Sequence, residues 1–130
     1  MRFLILALAA CPAPMMAEGA RMTLSCEVQT VCTQDGACKA AQDGREITVT
    51  PNNIDASGLG TYGVVIDGKG NETKGLSRTG PFLWQIGSYQ IQTLTLTGET
   101  TALMIRQDTT PNGVVAPNAA VDFLTCEVTF

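Results

Sequence analysis

Apolar and polar residues alternate along most of this chain, the period-two pattern of half-buried β-strands. Leu24, Cys26, Val28 and Thr30 share one parity, with Ser25, Glu27 and Gln29 on the other. Ile47 and Val49 alternate with Thr48 and Thr50, and Tyr62, Val64 and Ile66 form an apolar face, as do Phe82, Trp84 and Ile86. Leu94 and Leu96 alternate with Thr93, Thr95 and Thr97, but Tyr89 and Ile91 fall on the opposite parity, which suggests a bulge or register change near Gln92. "TALMIRQ", residues 101–107, suits either a strand or a short helix. The last run puts Leu124, Cys126, Val128 and Phe130 on one face. The abundance of threonine, valine and isoleucine agrees with strands throughout.

Turn signals separate these runs. Asp-Gly occurs at 35/36, 43/44 and 67/68 and Asn-Gly at 112/113, all good hairpin formers because glycine takes positive φ at no steric cost. Seven or eight short strands with close turns predict an all-β fold, a small antiparallel meander closed as a barrel or stacked as a sandwich. "DTTPNGVVAPNAA", residues 108–120, is the longest irregular stretch, and long loops often carry function. Asp108 and Asn112 are its candidate contact residues.

The N-terminus has another character. "MRFLILALAACPAPMMAEG" carries one arginine, an apolar run from Phe3 to Ala10 and then small residues and prolines, the layout of a secretory signal peptide. The run is well short of the roughly 20 residues that span a bilayer, so no transmembrane segment is expected. Cleavage after Ala17 leaves a signal peptide of residues 1–17 and a single all-β domain over 18–130. In the alternative reading, "LAAC" at 8–11 resembles a lipobox, and Cys11 becomes a lipid anchor. The brevity of the leader favours a periplasmic or otherwise secreted protein.

Either route removes Cys11 from the pool of thiols and leaves Cys26, Cys32, Cys38 and Cys126, an even set suited to disulfides in an oxidising compartment. Cys32 and Cys38 flank a segment containing Asp35-Gly36, so a hairpin brings them together. Cys26 and Cys126 remain, each in the middle of a strand and each within a Cys-Glu-Val echo, "LSCEVQT" and "LTCEVTF". The first and last strands are therefore expected side by side and disulfide-linked. Cys-x5-Cys spacing does not suit common zinc sites, and no metal or other cofactor is expected.

Composition narrows the function classes. Without Arg2 the chain keeps seven basic residues, scattered singly, against twelve acidic ones, a net charge of −5. No basic stripe serves nucleic acid, whereas a basic protein partner suits an acidic module. Histidine is absent, which removes Ser-His-Asp and Cys-His catalysis along with imidazole metal ligands. Only carboxylate, lysine or tyrosine chemistry would be left to an enzyme, and a non-catalytic role is expected. "DGKGNE", 67–72, reads as a plain turn because Lys69 occupies a position where a calcium ligand is needed. Glu27 and Glu127 follow the two clamped cysteines and should share the outer face, where a cation from a partner would relieve their repulsion.

"ASGLGTY", 56–62, and "FLWQIG", 82–87, lie in that order between Cys26 and Cys126. In this they resemble the membrane-bound C-type lysozyme inhibitor family of small exported barrels. The chain departs from that pattern in the Ser57 to Tyr62 spacing, in having Ile86 where the family has lysine, and in a longer stretch between Gly87 and Cys126. The resemblance implies Ser57 as an inhibitory contact, with Tyr62 beside it. The Gly-x-Trp of lipocalins is missing from the first strand. The expected function is an exported small β-barrel binding module with a protein partner. A lysozyme-inhibitor-like protein and a lipocalin-like carrier of hydrophobic ligands are the alternatives.

Overall fold

The computed structural model describes residues 19–108 and 118–130. The leader with Cys11, and residues 109–117 with Asn112 and the Asn112-Gly113 dipeptide, lie outside them. Eight antiparallel strands follow one another in chain order: β1 (Met22–Thr33), β2 (Cys38–Ile54), β3 (Gly60–Ile66), β4 (Lys69–Gly75), β5 (Phe82–Ile86), β6 (Gln90–Leu96), β7 (Thr101–Asp108) and β8 (Asn118–Thr129). Each pairs with the next, and β8 pairs with β1, so the meander closes into a barrel and not a sandwich. Every strand has a neighbour on both sides, although β4 and β5 pair only through Lys74 with Leu83 and Gly75 with Phe82. Among the described residues no helix is long and apolar enough to cross a membrane.

The seam between β1 and β8 is the expected one. Cys26 faces Cys126 in the register, their Cα atoms 4.0 Å apart, and the sulfurs are bonded. Cys32 faces and bonds Cys38 across the β1–β2 hairpin, with Cα atoms 4.1 Å apart. Two such disulfides suggest an oxidising compartment.

Alternation buries one side of every strand. Leu24, Val28, Ile47, Val49, Tyr62, Val64, Phe82, Trp84, Leu94, Met104 and Leu124 fill the interior together with the Cys26–Cys126 bridge. The Tyr62 ring meets Phe82 edge-on, centroids 4.8 Å apart, a favoured aromatic geometry. Gly75 makes room for that contact: a Cβ there would lie 2.5 Å from the Tyr62 ring and 3.0 Å from Phe82.

Several local expectations need correction. Thr30 does not continue the inward face of β1, because the register shifts between Val28 and Thr30 against both neighbours. Gln29 is an extra residue there, a β-bulge that reverses the parity, and Val31 packs on the core in place of Thr30. Asp43-Gly44 forms no hairpin. It lies within β2, opposite Val28 and Glu27, beside the same bulge. There is no irregularity at Gln92, since β6 pairs without a shift on both sides and Ile91 simply points outward, half-buried. "TALMIRQ" is strand, with Ala102 and Met104 inward. By contrast, Asp67-Gly68 forms the two-residue β3–β4 turn, both φ angles positive at 48° and 80°, as a type I′ hairpin requires.

The two disulfides differ in the loop they close, with sequence separations of 100 and 6. Chain entropy assigns about 4.7 kcal/mol to the long closure and about 2.2 kcal/mol to the short one. Urea unfolding should therefore show Cys26→Ala/Cys126→Ala losing about twice the stability lost by Cys32→Ala/Cys38→Ala. Equal losses would place the constraint elsewhere.

Candidate functional site

The inward pull of the Cys26–Cys126 bridge turns its neighbours outward. On the outer face of β8, β1 and β2, Glu127, Ser25 and Glu46 form one row, and Thr125, Glu27 and Gly44 form the next. Glu27 and Glu127 therefore share a face but sit diagonally, on adjacent rungs. With Ser25 and Thr125 they line a depression of about 540 Å³ over the bridge, walled on one side by Thr100. The Thr100 carbonyl accepts a 2.8 Å hydrogen bond from the Cys126 amide, which ties the β6–β7 turn to the seam.

The polar groups around this depression are committed unevenly. Ser25 donates its hydroxyl to Glu46 at 2.6 Å, and the Gln29 side-chain amide donates to Glu27 at 3.2 Å. The ion pairs among the described residues are Arg45–Asp67 and Arg106–Asp122, so neither Glu27 nor Glu127 has a cation partner there. The site is therefore an anionic dent on the outer face of the seam.

Ser57 and Tyr62 meet elsewhere, in the β2–β3 connection. Asp55 organises this loop by accepting from the Ser57 hydroxyl at 2.6 Å, the Ser57 amide at 2.9 Å and the Leu59 amide at 3.0 Å. Those donors, the Ser57 hydroxyl foremost, hold the Asp55 carboxyl below the ordinary aspartate range. Tyr62 is buried, and its hydroxyl donates to the Gly58 carbonyl at 2.5 Å. Burial pushes its phenol up, with Asp55 adding to the shift and Arg78 opposing it. Ser57 and Tyr62 thus shape the loop from within: the serine hydroxyl is already donated and the tyrosine ring is enclosed.

Asp108 ends β7 at the opposite end of the barrel, where it accepts from the Gln90 amide at 2.9 Å. The candidate residues therefore occupy three separate places, with only Glu27 and Glu127 sharing a cavity. The four described cysteines are all in disulfides, and among the described residues no cluster of three or more His, Cys, Asp or Glu forms a metal cage.

One partly buried ion pair is not evident from sequence motifs. Asp122 is buried and accepts a 2.8 Å bond from Arg106, inside the barrel near its β7–β8 end. Parity carried the signal, because Asp122 alternates in step with Leu124 and Cys126, and Arg106 with Ala102 and Met104.

The depressed Asp55 pKa gives a sign. Because the folded value lies below the unfolded one, its contribution to stability is present above the ordinary aspartate pKa and fades as pH falls through the folded value. The Tm gap between the native chain and Asp55→Asn should be widest above about pH 5 and should narrow on acidification; a gap independent of pH would show that the carboxylate charge is not what holds the loop. No family model, curated protein or solved structure matches this chain, so the lysozyme-inhibitor resemblance stays confined to its two short segments.

Proposed function

We propose that this chain is an exported, periplasmic, non-catalytic β-barrel module that binds a basic protein, with a lysine or arginine of the partner held between Glu27 and Glu127. The observation that carries this reading is the depression over the Cys26–Cys126 bridge, lined by both carboxylates and supplied with no cation among the described residues. Two carboxylates about 7 Å apart repel by about 0.6 kcal/mol in water-like surroundings, and a cation between them reverses the sign. An effect of that size adds more to encounter rate and orientation than to affinity. The excess of acidic over basic residues steers the same class of partner.

A signal-like leader and four cysteines paired in two disulfides support export. The absence of histidine, with every described thiol in a disulfide, supports a non-catalytic role. A basic lysozyme is the concrete partner that the resemblance brings forward. In this fold the seam serves such a partner better than Ser57, whose hydroxyl is occupied by Asp55. A hydrophobic cargo is less well served, because packed side chains take up the apolar half of the interior.

Binding of the mature, oxidised chain to lysozyme and to poly-L-lysine tests the reading. Glu27→Gln/Glu127→Gln should weaken binding about tenfold at low salt, the scale of one charge-assisted contact, while Ser57→Ala leaves it unchanged. The difference should vanish at high salt. Failure of the native chain to bind either probe, or equal binding by the double variant, overturns the proposal.

A further inference from the structure

The barrel interior is not uniform along its axis. Toward the end that carries the β1–β2, β3–β4 and β5–β6 hairpins, the inward positions become charged or amide-bearing. They surround a cavity of about 510 Å³. Arg45, Lys69 and Arg106 reach it from three different strands, against the carboxylates of Asp67 and Asp122. Arg45 lies 3.8 Å from Asp67 and Arg106 2.8 Å from Asp122, so each carboxylate is matched by an arginine. Lys69 has no ion pair among the described residues, and the lining carries one positive charge in excess. Asp108, on the next inward rung, is bonded to the Gln90 amide.

A second, independent observation concerns hydrogen-bond donors. Trp84 faces Gln92 across β5–β6, and Gln92 faces Arg106 across β6–β7, so the three form one interior row. The Trp84 side chain is buried, its residue only 3% exposed. Its indole Nε1 and the Arg106 Nε are both enclosed and have no protein acceptor. Buried donors without acceptors are costly, about 1–3 kcal/mol each. Of the two, Arg106 lines the cavity, and its unpartnered Nε beside the unpaired Lys69 favours an acceptor of negative charge there; Trp84 lies behind it in the same row. A bare ion would leave most of such a volume unused, since small-molecule sites span about 300–1,000 Å³. Ile66, Ile86 and Met104 contribute apolar wall to the same cavity.

We propose that the barrel mouth binds a small organic oxyanion, a carboxylate or phosphate head held by Arg106 and Lys69, with a short apolar body against Ile66, Ile86 and Met104. The site is separate from the outer seam and stands whether or not a basic protein binds there. A head group of this kind completes the Arg106 fork, whose Nη2 already holds Asp122 and whose Nε is left to donate. The tail requirement separates this ligand from inorganic phosphate.

The test uses the mature, oxidised chain. Trp84 is the sole tryptophan, so its indole N–H gives one identifiable NMR signal. Titration with hexanoate at low salt should move that signal and the Arg106 Nε–H signal saturably. Hexanol should not move them, and inorganic phosphate should move them with weaker affinity. Lys69→Gln, which breaks no ion pair, should weaken hexanoate binding about tenfold, the scale of one charged contact. Arg106→Gln should weaken it further, and circular dichroism reports whether that variant stays folded. No saturable shift, an equal response to hexanol, or unaltered affinity in Lys69→Gln overturns the assignment. Phosphate binding as tightly as hexanoate would remove the apolar half of the claim.

Discussion

The pairing of β1 with β8 is the constraint on which this structure rests. A meander of eight strands becomes a barrel only when its last strand returns to its first, and the Cys26–Cys126 bridge holds that return at the middle of the seam. Once residue 26 faces residue 126, alternation assigns the faces of both strands as far as the Gln29 bulge. Leu24, Val28 and Leu124 point in, while Ser25, Glu27, Thr125 and Glu127 point out. The core and the anionic dent are thus two sides of one covalent decision.

Closure also creates the contrast inside the barrel. In the half that holds Tyr62, Phe82, Leu94 and the bridge, apolar side chains from opposing strands meet and exclude water. In the other half, arginine, lysine and amide side chains occupy inward rungs, and the Arg106–Asp122 pair is among the few charged contacts brought inside. A buried carboxylate is costly unless paired and hydrogen-bonded. Asp122 is retained with its guanidinium partner, at the border between the packed region and the mouth.

Much of this was legible in the chain because it depends on local rules. The echo around Cys26 and Cys126 identified the closing strands, and Cys32 with Cys38 followed from a hairpin that Asp35-Gly36 permits. Asp67-Gly68 took the turn its φ preferences allow. What stayed hidden depends on register between strands distant in sequence. Nothing local to Gln29 marks it as a bulge, yet that single extra residue against β8 reverses the face of Thr30 and Val31, and Asp43-Gly44 runs through β2 without turning. Ile91 mimics an irregularity because an apolar residue on the outer face breaks the alternation without any register shift. Glu27 and Glu127 were placed on the right face, but their diagonal offset required the register itself. Arg106 and Asp122 carried inward parity in plain view, and only barrel closure shows that they meet.

Disulfide mapping of the unreduced chain tests the central claim most directly. Proteolysis without reduction, followed by mass spectrometry, should yield one cross-linked pair joining residue 26 to residue 126 and a second joining 32 to 38. A bond from residue 26 to residue 32 or 38, or a free thiol at 126, would contradict the closed barrel. The outer dent and the inner mouth would then both lose the frame that forms them.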